Sequence, residues 1–389
     1  MRARTSTVLA ASLVLALAAG PLAAPAFAAP PASSASATST PGHGTDVLDE
    51  AALRAAVDAV PNQYATAALV RVGATGETWR GSGGVRDLAG ERPALVNARF
   101  RAGSVTKVVT AATVLRLAAE GRVDLDAPVQ RYLPGLFTPQ FRPIGVRQLL
   151  NHTSGIQAGD GLGDDFAEAY AHRFDTLTPQ RVARSAIAKG PEFDPGTRQH
   201  YLNINYTVLG LLIEKVTGRT YAAEATRLVL RPAGMRDTYF PGTDPRIRGP
   251  HNRGYQKVEG PDGTTKLVDV TEWNQADRWA AGDMISTTSD LERLLTELFS
   301  ERIVPQPQLE EMFTTPAGLP EATRSAGLEY KKVGGRILWG KSGSRNGYSA
   351  LIGGTRDLSR TLVHSVNSTD AKSAERNPVI DGITAAALK

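Results

Sequence analysis

Strand-type alternation occurs in two blocks of this chain, and residues 86–335 separate them. The first block holds Tyr64 to Val72 and Glu77 to Val85, punctuated by Gly73, Gly76 and the Gly81 to Gly84 cluster, which is a hairpin pattern. The second holds Arg336 to Gly340, Tyr348 to Gly353 and Arg360 to Val366. Between the blocks the apolar spacing is helical, as over 105–117 and over 208–216 with Gly218 as its stop. Helical spacing also closes both ends, from Val47 to Val60 before Pro61 and from Pro378 to Leu388. The chain therefore reads as one discontinuous α/β (α+β) unit over roughly 47–103 and 285–389, carrying a helical insertion over roughly 104–284. No internal repeat is visible.

The one sustained apolar run, Val8 to Ala19, lies between Arg2 and Arg4 and the small-residue triplet Ala26-Phe27-Ala28. That order predicts a secretory signal peptide over 1–28 and a mature start near Ala29. Ala3 separates the two arginines, which favours the general export route over the twin-arginine one. Residues 29–46, rich in Pro, Ala, Ser, Thr and Gly, are expected to form a flexible leader. The remainder, residues 47–389, is expected to be a secreted, monomeric domain with no membrane span.

The chain has no cysteine, so a core of 41% hydrophobic residues has to hold it without disulfides, and thiol chemistry and cysteine-ligated zinc are excluded. The net charge of +5 falls to +3 once Arg2 and Arg4 leave with the signal. With no basic run of five, a nucleic-acid partner is not expected. The six histidines, at 43, 152, 172, 200, 251 and 364, lack metal-ligand spacing, and Asp160, Asp164 and Asp165 read as an exposed turn, so no metal or cofactor is expected.

Three elements carry chemistry. Gly103-Ser104-Val105-Thr106-Lys107 opens an amphipathic helix, and the i, i+3 spacing sets Lys107 beside the Ser104 hydroxyl, where a desolvated amine could take its proton. Tyr201-Leu202-Asn203 precedes a helix starting near Tyr206; beside ammonium groups a phenol becomes a proton shuttle, and the Asn203 amide can hold both Lys107 and a substrate carbonyl. Lys341-Ser342-Gly343-Ser344 follows the strand ending at Gly340, where a cation beside a hydroxyl suits a substrate carboxylate and Gly343 lets a ligand approach.

In this order the three resemble the Ser-x-x-Lys, Tyr-x-Asn and Lys-Thr-Gly signatures of the penicillin-binding protein and serine β-lactamase family. The stretches Phe100 to Lys107, Glu120 to Asp126, Leu149 to Gly155, Leu212 to Gly218 and Ala281 to Thr287 are similar to its class C β-lactamase-like branch, which includes secreted actinomycete D-alanyl-D-alanine carboxypeptidases. The resemblance implies an antiparallel sheet flanked by terminal helices with a large helical insertion. It implies Ser104 as acylated nucleophile, Lys107 as base, Tyr201 as proton shuttle and Asn203 as orienting amide. Lys341 and Ser342 would hold the carboxylate side, the N–H groups of Ser104 and Ser344 would form the oxyanion hole, and His152 would shape the rim. The implied substrate is a small peptide or peptidoglycan stem ending in D-Ala-D-Ala, with β-lactams as covalent inhibitors. A β-lactamase, an esterase, a D-amino-acid amidase and a non-catalytic penicillin sensor are the alternatives. Two departures stand out: Lys341 replaces the histidine of those carboxypeptidases, and Gly327 to Lys332 replaces the stretch that supplies their carboxylate-binding arginine, leaving Arg345 and Lys332 as the candidates for that role.

Overall fold

The computed structural model describes residues 47–389 except 261 and 334; the expected signal and leader lie outside the described residues. Its centre is a six-stranded sheet: β1 (Ala65–Ala74), β2 (Glu77–Gly84), β3 (Glu329–Val333), β4 (Arg336–Arg345), β5 (Tyr348–Gly354) and β6 (Arg360–Ser368), in spatial order β2-β1-β6-β5-β4-β3. Every neighbouring pair is antiparallel, and β1 of the first block pairs β6 of the second with Val70 opposite His364. The two distant blocks thus complete one sheet, as the alternation requires.

Each face of the sheet is covered. On one lie α1 (Glu50–Asp58) and, from the chain's end, a helix over Pro378–Ala387, which bury Leu53, Val57 and Ile383 against Val70, Val72, Trp79 and Val366. Both start where a side chain caps them: Asp49 accepts from Ala52 N at 2.9 Å, and Asn377, before Pro378, accepts from Val379 N at 3.0 Å. Against the other face pack the helical insertion and the helix over Thr288–Phe299, whose Glu292 pairs with Arg71 at 2.9 Å. Alternation along β1 explains the division, since Val70 and Val72 face the terminal helices and Arg71 points the other way.

The insertion centres on α2 (Thr106–Ala119) and α3 (Asn203–Thr217), the latter ended by Gly218 at φ +69°. The expected amphipathicity of α2 is not found. Val108, Val109, Ala112, Leu115 and Leu117 have essentially no exposure and neither does Lys107, so this helix is enclosed on all sides from Thr106 to Leu115. Two antiparallel pairs were not foreseen, Tyr255–Glu259 with Thr265–Asp269 and Phe100–Arg101 with Ile285–Ser286. The acidic turn is accounted for locally: Asp165 caps a short helix by accepting from Glu168 N, and Asp160 pairs with Lys189 at 2.8 Å.

Candidate active site

Ser104 sits in a single 3-10 turn, Gly103–Val105, that runs into α2, so it is presented ahead of the helix and not within its first turn. Two glycines allow this. Gly103 has φ +53°, and a Cβ there would stand 2.6 Å from Ser344 N; on β4, a Cβ at Gly343 would collide with the Ala102 carbonyl oxygen and stand 2.9 Å from Ser104 N. Strand and turn therefore touch backbone to backbone, and the amide nitrogens of Ser104 and Ser344 flank one junction.

Lys107 lies one helical turn on, with no exposed surface. Its Nζ donates to Ser104 Oγ at 3.1 Å, Asn203 Oδ1 at 2.8 Å and the Ala281 carbonyl at 2.7 Å, which uses all three ammonium donors. Burial pulls its pKa down, Tyr201 opposes this, and Lys341 and Arg278 add to it, leaving it at about 8. Asn203 reaches Lys107 because α3 begins at Asn203 itself, earlier than the expected Tyr206. The bond through Oδ1 leaves the amide N–H donors uncommitted by Lys107.

Tyr201 stands among three cations: Lys341 Nζ, Arg324 Cζ and Lys107 Nζ lie 4.9, 5.0 and 5.1 Å from its ring centroid. Its hydroxyl is buried and completes no hydrogen bond of good geometry among the described residues. Burial alone would raise the phenol's pKa, but the Lys107 and Lys341 charges, with Ser104 and Lys107 close to the oxygen, bring it down to about 8. Lys107 and Tyr201 thus titrate together in one range, with Ser104 beside them. His152 packs against the Tyr201 ring, centroids 4.5 Å apart, and meets Asn205 Nδ2 through Nδ1 at 3.2 Å. Burial first, then Lys107, holds its pKa well below the usual imidazole value, so it is a neutral wall of the site.

The third element lies inside a strand and not after one, because β4 continues to Arg345 and pairs with β5 up to Arg345 opposite Tyr348. The partner strand β3 reaches only Gly340, so the β4 edge beyond that position is not paired on the β3 side. Lys341 is 6% exposed, and its Nζ donates to the Ser342 carbonyl at 3.0 Å and lies 3.7 Å from Glu329 Oε1. Alternation sends the Ser342 and Ser344 side chains to the opposite face from Lys341. Ser342 therefore brings its carbonyl to the cluster, and Ser344 Oγ bonds the Ala371 carbonyl. The two expected carboxylate partners lie elsewhere: Arg345 is buried against Asp277 at 3.8 Å, and Lys332 is exposed on β3 opposite Ile337. Arg324 is the arginine beside Tyr201. Sequence reasoning also missed the Ala281 carbonyl and Glu329, although the block from Ala281 to Thr287 and the departing stretch from Gly327 to Lys332 each contained one of them.

Comparison with known proteins identifies the family and the fold. The chain matches the Beta-lactamase family over residues 53–385. It is similar to the solved structure of a D-stereospecific amidohydrolase from Streptomyces sp., 33% identical with a TM-score of 0.74 over 86% of this chain and 98% of that one. It is 34% identical to Esterase EstB of Burkholderia gladioli over 236 residues, 53% of this chain and 57% of the esterase. It is 27% identical to Penicillin-binding protein 4* of Bacillus subtilis over 303 residues, 74% of this chain and 64% of that protein. The chain thus spans less than two thirds of the length of these two curated relatives. Its antiparallel sheet with a helical insertion is the β-lactamase and transpeptidase fold, and the chain belongs to the Beta-lactamase family of serine hydrolases.

Proposed function

We propose that the protein is a serine amidohydrolase that forms an acyl-enzyme at Ser104 from acyl donors of D configuration. The observation that carries this is the buried Lys107 ammonium, at about 8 in pKa, hydrogen-bonded at 3.1 Å to the Ser104 hydroxyl. Near neutrality a share of the Lys107–Tyr201 pair has lost a proton and can accept one from Ser104 as its oxygen attacks the carbonyl carbon. The oxyanion would be met by the N–H groups of Ser104 and Ser344 at the strand junction. Collapse expels the amine, protonated through the Tyr201 hydroxyl, and water then attacks the ester with the same groups acting in reverse. Asn203 would hold a carbonyl of the donor other than the scissile one, and the donor would lie along the β4 edge that β3 leaves unpaired.

The likeness to the Streptomyces D-stereospecific amidohydrolase supports the substrate class. The narrower reading, a D-alanyl-D-alanine carboxypeptidase open to acylation by β-lactams, draws on Lys341 as a cation for a terminal carboxylate. A panel of a D-amino-acid amide, a D-Ala-D-Ala peptide, a chromogenic cephalosporin and a short-chain aryl ester separates these readings. Turnover of the amide and not its L isomer supports the proposal, and turnover of the aryl ester alone contradicts it. Export through residues 1–28 is proposed on the sequence pattern, with secreted protein starting near Ala29 as its expected signature.

A further inference from the structure

An ionised carboxylate already stands beside the cation that a substrate carboxylate would need. Glu329 lies on β3 opposite Gly340, the residue before Lys341. That register brings its Oε1 to 3.7 Å from Lys341 Nζ, while Oε2 lies 3.6 Å from Arg324 Nε. Arg324 is fixed through its backbone: Gln199 Oε1 accepts from Arg324 N at 3.2 Å, and Gln199 Nε2 donates to Arg324 O at 2.9 Å. The clamp comes from the residue two positions before Tyr201, so Arg324, Glu329, Lys341 and the Tyr201 ring form one corner. Burial would raise the Glu329 pKa, but Lys341, Arg324 and Lys331 bring it below the usual value, so the carboxylate is charged at neutral pH.

The charge count of this corner decides what it can accept. Two fixed cations, Lys341 and Arg324, meet Glu329, and the phenolate that Tyr201 becomes when it gives up its proton is faced by these two and by Lys107. A leaving group ending in a free carboxylate would enter beside both anions and compete with Glu329 for each cation, whereas a neutral one meets no such opposition.

We infer that Glu329 is a specificity-determining residue: it supplies the anion of the Lys341–Arg324 corner from within the chain and so selects leaving groups that lack a free carboxylate. The inference rests on the acyl-enzyme reading of Ser104 and deepens it, naming amides, esters and capped peptides as the favoured donors over peptides with a free C-terminus.

The test uses two esters of one N-acyl-D-alanine, with 3-hydroxybenzamide or 3-hydroxybenzoate as leaving group, which differ in the carboxylate alone. The parent should favour the benzamide ester in kcat/KM, and Glu329→Gln should cut that preference about tenfold or more, chiefly through KM. Arg324→Gln should move it the other way, because it leaves Lys341 wholly to Glu329, a change of sign that a merely structural role would not produce. Thermal melting checks that the variants fold; should Glu329→Gln not fold, the Arg324→Gln preference decides. An unaltered preference in folded variants, with both esters hydrolysed, overturns this inference alone. Hydrolysis of neither ester by the parent overturns the acyl-enzyme reading and this inference with it.

Discussion

The two faces of the sheet are buried to a similar degree but are built differently. The terminal-helix face is almost wholly aliphatic: Leu53, Val57, Val70, Val72, Val366 and Ile383 are each at most 1% exposed. A buried imidazole on this face, His364, is held neutral by burial alone, at a pKa of about 4. The opposite side buries Lys107 and Lys341 in the cluster around Tyr201, and Asp283 and Arg345 besides. Burying charge is costly, and these groups do not compensate each other fully: both Asp283 oxygens lack a hydrogen-bond partner among the described residues, and burial pushes its carboxyl pKa well up. One face is arranged for stability, and the other trades stability for groups whose protons can move.

The largest expected effect belongs to the charged side. Ser104→Ala should abolish labelling by a fluorescent penicillin and cut hydrolysis by roughly 10⁴-fold or more, with the melting temperature almost unchanged. Undiminished labelling would break the comparison at its root. On the aliphatic face the pattern reverses. Leu53→Ala should cost about 2–5 kcal/mol in chemical denaturation and leave kcat/KM within about twofold, because it opens a cavity far from the chemistry. A large loss of rate without loss of stability would show that the faces are not separable.

A smaller effect distinguishes the faces by pH. Lys107 and Tyr201 both titrate lower in the fold than in an unfolded chain, about 8 against 10.5 and 10.0. Between those values the unfolded chain binds more protons, so their contribution to stability grows as pH rises from 8 towards 10. His364, at about 4 against 6.5, places its window lower, and its contribution is lost as pH falls from 6.5 to 4. His364→Gln should flatten the acid limb of a stability profile and Tyr201→Phe the alkaline limb. Exchange of these two outcomes would contradict the assignment.

The same contrast explains what could be read from the sequence. Strand-type alternation punctuated by glycines located β1, β2, β5 and β6, prolines bounded the terminal helices, and Gly218 ended α3. It did not find β3, an outer strand of sequence Glu-Tyr-Lys-Lys-Val that is half exposed and carries no alternating apolar face. It ended β4 at Gly340, because Gly343 and its serine neighbours look like a turn until Ala102 packs on them. In the site, Ser104, Lys107, Tyr201 and Asn203 were legible as spaced side chains. The Ala281 carbonyl has no side-chain signature. Arg324 and Glu329 matter only because Gln199 and the pairing of Glu329 with Gly340 bring them to Tyr201, a long-range arrangement that a local pattern does not encode.

The central claim is that Lys107 and Tyr201 hold a shared, readily lost proton next to Ser104. Its most direct test is the acylation rate of Ser104 from about pH 5 to 10, measured on the parent and on Tyr201→Phe. The parent's rate should rise through an apparent pKa near 8, well below the 10.0 and 10.5 of free tyrosine and lysine. Because the Tyr201 hydroxyl completes no hydrogen bond of good geometry among the described residues, its removal should cost little stability, but about 10²- to 10⁴-fold in rate, with the rising limb displaced or lost. A Tyr201→Phe protein that acylates at the parent's rate with the parent's profile would contradict the account and leave Tyr201 as a packed aromatic ring.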